Sequence, residues 1–199
     1  MDSNLLMIFV KNPVEGSVKT RLGASIGSTN ALLIYKKLLD HTRVTASSLD
    51  CKRQVWYSTM IDRRDEWDEK QFDKRLQTGG DLGERMAGAF RHAFEDGYDR
   101  VVIIGSDCFE LTLEHLQQAF KELEKNDAVI GPSADGGYYL LGLTQYHKRI
   151  FHDMEWSTSG VFDQTVSRFE ELGLSYSVLE TLNDIDTIED LKKSDLTLP

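Results

Sequence analysis

Hydrophobic positions in this chain form two kinds of pattern. Residues 5–10 (LLMIFV) are apolar throughout and end at Lys11 before a proline turn, which indicates a strand buried on both faces. Residues 101–104 form a second run of this kind and stop at Gly105. Residues 81–95 instead place apolar side chains at helical spacing, with Asp81 as a capping residue and Gly97 as a stop signal.

The same criteria predict the remaining elements. Further strands are predicted at residues 54–57, 76–78, 128–130, 138–143 and 175–179. Further helices are predicted at residues 29–47, 62–72, 113–123 and 161–172, and from Thr187 onward. Strands and helices alternate over about the first two thirds of the chain, which predicts an α/β fold with a mostly parallel sheet and helices on both faces. In such sheets, ligands bind beyond the carboxyl ends of the strands.

Composition narrows the class of protein. The 199 residues are 40% apolar, which suits one soluble domain spanning residues 1–199. No apolar run approaches the roughly 18 residues of a membrane span, and residues 5–10 lack the basic flank of a signal peptide. Two cysteines, Cys51 and Cys108, do not suggest a disulfide framework, so a reducing cytoplasm is expected. The net charge of −10 disfavours nucleic-acid partners.

The loop after the first strand is basic, although the chain as a whole is acidic. Residues 11–21 contain Lys11, Lys19 and Arg21 but only Glu15 as an acidic residue, a local charge of +2. Arginine binds phosphate in a bidentate manner and lysine as a point charge, so the loop is a candidate site for a phosphorylated ligand. Its spacing matches neither the P-loop nor the G-x-G-x-x-G motif. A solvated basic loop is the alternative.

Acidic residues follow two other predicted strands. Asp107 comes just after residues 101–104, where a carboxylate can bind Mg²⁺ or Mn²⁺ together with substrate phosphates. Asp184 and Asp186 point the same way if the backbone is extended, and they could complete such a site. Helix capping is the alternative for Asp107. For the stretch NDIDTIEDL, the alternative to metal binding is a capping box from Thr187 to Asp190.

Six motifs in order carry a resemblance across nearly the whole chain: FVKNPVEGSVKTRL, GGDLGERM, GSDCFEL, GPSADGGYYLLGL, WSTSGV and DIDTIEDL. Together they resemble the bacterial glycosyltransferase family that is associated with radical-SAM/selenodomain proteins and with arsenosugar biosynthesis. That family belongs to the nucleotide-diphospho-sugar transferase superfamily, which has the GT-A fold. The resemblance therefore implies a GT-A-like domain and a nucleotide-dependent transferase.

The resemblance also implies roles for individual residues. The implied nucleotide-binding residues are Lys11, Lys19, Arg21, Asp81 and Arg85. The implied ligands of Mg²⁺ or Mn²⁺ are Asp107, Asp184 and Asp186, and the implied catalytic residues are Asp107 and Asp135. The acceptor side is implied to comprise Gly136, Gly137, Tyr138, Tyr139, Trp156, Ser157 and Thr158. The chain departs from the family pattern at Ser106 and Phe109, where Thr and Pro are usual, which puts the geometry around Asp107 in question.

Three functions remain open at this point. The leading one is metal-dependent transfer of a sugar from a nucleotide-diphospho-sugar to a small-molecule acceptor. The second is nucleotidyl transfer, in which GTP or CTP reacts with a small phosphorylated acid or cofactor. The third is a nucleotide-binding protein without catalysis. The oligomeric state is left open, with a homodimer as one alternative.

Overall fold

The computed structural model describes residues 3–197, which form one seven-stranded sheet. The strands are β1 (Asn4–Val10), β2 (Lys52–Tyr57), β3 (Asp73–Leu76), β4 (Arg100–Ile104), β5 (Ala128–Pro132), β6 (Tyr138–Leu143) and β7 (Tyr176–Val178). The helices are α1 (Thr20–Ile26), α2 (Ser28–Ser47), α3 (Leu82–Glu95), α4 (Leu113–Glu122), α5 (Val161–Glu171) and α6 (Ile188–Lys193). A short 3-10 helix covers Lys148–Ile150.

The strand order is β3-β2-β1-β4-β6-β5-β7. Strands β1 and β4 are parallel neighbours, which confirms the prediction from their continuous apolar runs. Strand β6 runs antiparallel to both β4 and β5, whereas every other pairing among the described residues is parallel. The predicted mostly parallel α/β sheet is therefore confirmed. The carboxyl ends of β1, β4 and β5 and the amino end of β6 lie along one edge.

The core lies on both faces of the sheet because side chains alternate along each strand. On β1, Leu6 and Ile8 pack with residues of α2 and α4, whereas Leu5 and Met7 pack with residues of α3 and α5. All four of these β1 side chains are fully buried. A third cluster joins α1, α2 and α6 beside the sheet. Helices on both faces were predicted, and the structure confirms them.

One predicted helix is absent. Residues 62–72 form turns and bends, although their charged sequence was interpreted as helical. The carboxylates of Asp62, Asp65 and Asp68 each accept a hydrogen bond from the backbone N–H two residues later. Such local bonds stabilise turns and compete with helical hydrogen bonding, so the prediction was wrong for a physical reason.

One helix was missed. Residues 20–26 form α1, where the sequence had suggested only an extension of the basic loop. Its N-cap residue, Lys19, adopts the left-handed conformation (φ 49°, ψ 45°), and the side chain makes no capping hydrogen bond. A helix without a recognisable cap and only seven residues long offers little periodicity to detect. No helix in the described part of the chain is long and apolar enough to cross a membrane.

Candidate functional site

Three chain segments meet at the carboxyl edge of the sheet. Asp107 follows β4, and its carbonyl accepts a hydrogen bond of 3.0 Å from the backbone N–H of Ile185. Asp184 forms an isolated β-bridge with Cys108, and Leu182 forms another with Ser133, after β5. The segment at residues 182–186 is thus fixed beside the residues that follow β4 and β5. The predicted grouping of Asp107 with Asp184 and Asp186 therefore arises from backbone pairing.

Lys19 lies among these carboxylates. Its ammonium is 2.7 Å from Oδ1 of Asp107 and 3.7 Å from Oδ1 of Asp186. The Lys19 side chain is only 4% exposed, so the alternative of a solvated basic loop does not hold for it. Arg21 binds the other oxygen of Asp186 at 3.1 Å, yet its side chain is 76% exposed. The loop cations and the acidic residues, predicted separately, thus form one charged cluster.

Asp184 carries the electrostatic signature of this cluster. Burial, followed by the negative charges of Asp107 and Asp135, raises the pKa of Asp184 to about 7. Lys19 acts in the opposite direction, and Asp186 adds to the increase. Four carboxylates therefore interact at this edge of the sheet, and the ammonium of Lys19 offsets only part of their charge. Such perturbation is common at functional sites.

A buried hydroxyl links the loops that carry the site. Oη of Tyr35, on α2, accepts a hydrogen bond from the backbone N–H of Lys11 at 2.8 Å and lies 3.1 Å from the carbonyl of the same residue. It also lies 3.2 Å from Oγ of Ser106, the residue before Asp107. Tyr35 is 1% exposed. Tyr35 lies within the helix predicted at residues 29–47, and helical spacing gives no signal for the role of its hydroxyl.

The two residues that depart from the family pattern, Ser106 and Phe109, both contact neighbouring side chains. The hydroxyl of Ser106 is held by Tyr35, and the ring of Phe109 packs 4.6 Å from that of His41. Cys108 is buried, and burial followed by the charge of Asp184 raises its pKa to about 12. Its thiol is thus held in the neutral form, as suits a buried packing residue.

Residues 133–137 connect β5 to β6 and form the turn that the motif GPSADGGYYLLGL suggested. Oδ1 of Asp135 accepts hydrogen bonds from Ser133 Oγ at 2.6 Å and from the N–H of Gly137 at 3.0 Å. Gly136 has φ +91°, and a Cβ atom there would lie 2.1 Å from the carbonyl oxygen of Ser159. The chain's own backbone therefore lies against Gly136, a residue implied to be on the acceptor side.

The two tyrosines of this motif lie on opposite faces of the sheet. Tyr139 is 4% exposed, its ring covers Gly131, and its hydroxyl donates to the carbonyl of Glu180 at 3.2 Å. Tyr138 is partly buried, and its hydroxyl lies 3.7 Å from Sδ of Met86. The expected contact between the acceptor and Tyr139 does not fit this placement, because the ring belongs to the core.

A neighbouring cavity brings two further motifs together. A space of about 290 Å³ lies between the start of α3 and residues 151–156, and its walls include Asp81 and Trp156. The indole of Trp156 packs against Gly83 so closely that a Cβ atom there would be 2.3 Å from Nε1. Asp81 caps α3 by accepting from Glu84 N–H, and Arg85 donates to the carbonyl of Gly79. The structure thus places DLGERM beside WSTSGV.

The last two residues expected on the acceptor side belong to the same loop as Trp156. Ser157 has a positive φ of 66°, and Oγ1 of Thr158 donates to the carbonyl of Glu155. The backbone of Ser159 then reaches Gly136. This loop therefore connects the cavity beside α3 to the turn that carries Asp135.

The charged cluster meets some of the requirements of a divalent cation. Among residues 3–197, no three His, Cys, Asp or Glu side chains are arranged as a ready-made metal centre. Mg²⁺ commonly uses only one or two carboxylates together with substrate phosphates. The ammonium of Lys19, within 4 Å of both Asp107 and Asp186, marks a position where these oxygens favour positive charge. Carboxylate oxygens are ligands that hard cations prefer, so the residues of this cluster have suitable chemistry for Mg²⁺ or Mn²⁺.

The sheet order, the helices on both faces and the charged cluster at the carboxyl edge define an α/β protein with the nucleotide-diphospho-sugar transferase fold. A structure from Desulfovibrio desulfuricans G20, provisionally named a nucleotide-diphospho-sugar transferase, is 34% identical, with a TM-score of 0.89 over 96% of this chain and 85% of that one. The chain belongs to the bacterial family described as "uncharacterized protein conserved in bacteria" (DUF2064), whose profile matches residues 41–158.

More distant structures share the fold alone. The 4-diphosphocytidyl-2C-methyl-D-erythritol synthase of Anaerococcus prevotii is 12% identical, with a TM-score of 0.60 over 96% of this chain and 93% of that one. A CMP:2-keto-3-deoxy-manno-octonic acid synthetase complexed with CTP is 9% identical, with a TM-score of 0.56 over 96% and 95%. No curated protein matches the chain. The expected association with radical-SAM proteins and arsenosugar biosynthesis stays a prediction.

Proposed function

We propose that this protein transfers a sugar from a nucleotide-diphospho-sugar to a small-molecule acceptor with the help of Mg²⁺ or Mn²⁺. The observation that carries the proposal is the charged cluster at the sheet edge. There, Lys19 pairs with Asp107 and Asp186, and Arg21 extends from the first turn of α1 into solvent. This arrangement offers a diphosphate two cations and offers a metal ion carboxylate oxygens, in adjacent positions.

In this proposal, Asp107 is the principal residue that holds the cation, with Asp184 and Asp186 beside it. A bound divalent cation acts as a Lewis acid that neutralises the diphosphate leaving group. Arg21 can place its planar guanidinium on phosphate oxygens because its side chain is largely exposed. Lys19 supplies a second positive charge from a site that is shielded from water, where electrostatic interactions are stronger.

Asp135 is the proposed group that receives the proton of the acceptor hydroxyl. It is exposed on the turn between β5 and β6, and its Oδ1 atom is fixed by Ser133 and by the N–H of Gly137. Such bonds orient a carboxylate for general-base catalysis. As the acceptor oxygen forms its bond to the anomeric carbon, the bond from that carbon to the diphosphate breaks and the proton passes to Asp135.

The cavity between α3 and Trp156 is the proposed place for the remaining parts of the substrates. Its walls include Asp81, expected to bind the nucleotide, and Trp156, expected on the acceptor side, and it adjoins the loop that reaches Gly136. An indole wall and the carboxylate of Asp81 are groups that commonly contact sugar rings and hydroxyls, respectively. The 34% identical structure, with its provisional transferase name, supports the class of reaction proposed.

Nucleotidyl transfer is the second candidate. It is favoured by the fold likeness to a synthetase complexed with CTP and to a diphosphocytidyl-methylerythritol synthase. Here the same cations and carboxylates would bind a nucleoside triphosphate, and a phosphate or acid group of the second substrate would attack its α-phosphorus.

Product analysis separates these functions. The protein is incubated with nucleotide sugars and, separately, with nucleoside triphosphates, each with a panel of small acceptors and Mn²⁺. Release of nucleoside diphosphate from a nucleotide sugar is the expected result, and release of pyrophosphate from a triphosphate would establish the second candidate instead. Binding of nucleotide without turnover of any donor would contradict both and indicate a non-catalytic nucleotide-binding protein. Asp107→Asn serves as the control because it keeps the shape of the side chain but lacks its charge.

A further inference from the structure

We propose that Lys19 and Arg21 are exchangeable counter-ions of the site, so that the divalent cation and the diphosphate each bind tightly only when the other is present. The inference rests on the proposed function for the identity of the two ligands. It adds a coupling between them that follows from the pairing of cations and carboxylates within this chain.

The divalent cation and Lys19 compete for the same atoms. Oδ1 of Asp107 lies 2.7 Å from the Lys19 ammonium, and Oδ1 of Asp186 lies 3.7 Å from it. A divalent cation on these oxygens would face a positive charge at a distance where repulsion is strong in a buried position. Binding of the cation therefore requires the ammonium of Lys19 to move away.

The displaced ammonium needs a new partner. The Lys19 side chain is 4% exposed, so leaving Asp107 without one would leave a poorly solvated charge. A diphosphate beside the cation supplies that partner. Conversely, a diphosphate that arrives alone must draw Lys19 and Arg21 from carboxylates that would then repel it. Each ligand thus removes the obstacle to the other.

The backbone around Lys19 is suited to such a change of partner. Lys19 is one of only three non-glycine residues with positive φ in the described chain, at φ 49°. This conformation is unfavourable for an L-residue, and the side chain of Lys19 pairs with Asp107 and Asp186. Residues 14–17 before it are exposed, and a methyl group on Gly16 would meet no atom within 4 Å beyond its chain neighbours. Val18 is buried, so residues 14–17 are the part of this loop that can move without disturbing the core.

Linkage makes this coupling measurable from either ligand. If the cation strengthens binding of the diphosphate by some factor, the diphosphate strengthens binding of the cation by the same factor. The most informative variant is Lys19→Met, which keeps an unbranched side chain only one atom shorter and removes its charge. It should weaken the coupling and, against simple intuition, allow the metal alone to bind more tightly.

The test is a titration with Mn²⁺ alone, in which free Mn²⁺ is followed by electron paramagnetic resonance for wild type and variants. Lys19→Met should bind Mn²⁺ about tenfold more tightly than wild type, a factor within the usual range for coupled sites. Arg21→Met should give a smaller gain, because Arg21 contacts only Asp186 and is 76% exposed. Lys36→Met removes an exposed charge on α2 and should leave the Mn²⁺ affinity nearly unchanged.

Equal or weaker Mn²⁺ binding by both Lys19→Met and Arg21→Met would overturn the proposal. A gain of the same size in Lys36→Met would overturn it too, because the effect would then be a general one of net charge. If Lys19→Met does not fold, Arg21→Met decides alone, since its exposed side chain is not part of the core. Failure of the proposed function would look different: no donor would be turned over, while the Mn²⁺ result would stand.

Discussion

Asp184→Asn should make the protein more stable, and by an amount that increases with pH. The pKa of Asp184 is about 7 in the folded protein against 3.8 for an unperturbed carboxyl. Between these values the folded protein keeps a proton that the unfolded chain has released. The free energy of unfolding therefore falls as pH rises through this window and levels off above about pH 7.

The magnitude follows from the two pKa values. A difference of about 3 corresponds to about 4 kcal/mol at pH 8, where Asp184 is charged in both states. The same relation gives about 2 kcal/mol at pH 5.5, which still lies above the isoelectric point of about 5.0. Asparagine carries no charge at either pH. The variant should therefore gain stability over wild type, and the gain should be about 2 kcal/mol larger at pH 8 than at pH 5.5.

The assay is urea unfolding of both proteins at pH 5.5, 6.5, 7.5 and 8, with a chelator present so that no divalent cation offsets the carboxylates. Asp190→Asn is the matched control. Burial raises the pKa of Asp190, but hydrogen bonds from Thr187 and Asp186 outweigh this, and its net pKa is lowered. Its ionised form thus contributes stability throughout this pH range, so Asp190→Asn should destabilise. A pH-independent effect of Asp184→Asn, or a loss of stability at pH 8, would refute the reasoning.

Three further predictions test separate parts of the structure. Tyr35→Phe should lower the free energy of unfolding by about 1–3 kcal/mol in urea titrations, because the N–H of Lys11 and the hydroxyl of Ser106 lose a buried partner. An unchanged free energy of unfolding would show that water replaces the hydroxyl of Tyr35. Gly136→Ala should destabilise the protein by more than the roughly 1–3 kcal/mol of a strained backbone alone, since its Cβ atom would clash with Ser159. Gly16→Ala has open space around it and should show only the backbone cost. Equal losses of stability in the two variants would argue against the clash. Arg21→Ala should weaken binding of nucleoside diphosphate in calorimetry while thermal unfolding stays nearly unchanged, because its side chain is 76% exposed; full affinity would remove Arg21 from the phosphate site.

The architecture could be predicted because it depends on patterns that short windows of sequence contain. The continuous apolar run of β1 and the helical stripe of α3 each reflect burial on a defined face. The turns at residues 62–72 and the helix α1 were not predicted. In the first, three aspartates bond to nearby backbone groups, and in the second, Lys19 adopts a backbone conformation that its residue type does not indicate.

The composition of the site could be predicted only in part. Asp107 and Lys19 were chosen because each follows a strand at the carboxyl edge, and that rule brought together residues far apart in sequence. Their direct pairing could not be predicted, because it depends on the bridge between Cys108 and Asp184 and on the burial of Lys19. The burial of Tyr139 was equally inaccessible, since alternation along a strand places Tyr138 and Tyr139 on opposite faces but does not say which of them faces a pocket.

The role of Asp107 is tested most directly by titrating nucleoside diphosphates into wild type and Asp107→Asn, first with Mn²⁺ and then with a chelator. We expect Mn²⁺ to strengthen nucleotide binding to wild type strongly and to Asp107→Asn hardly at all, with circular dichroism confirming that the variant is folded. Asp107 does not cap α4, whose N-cap residue is Thr112, so if Asp107 does not hold the cation both proteins should depend on Mn²⁺ equally. Equal metal dependence would therefore contradict the assignment of Asp107 as the principal ligand of the cation.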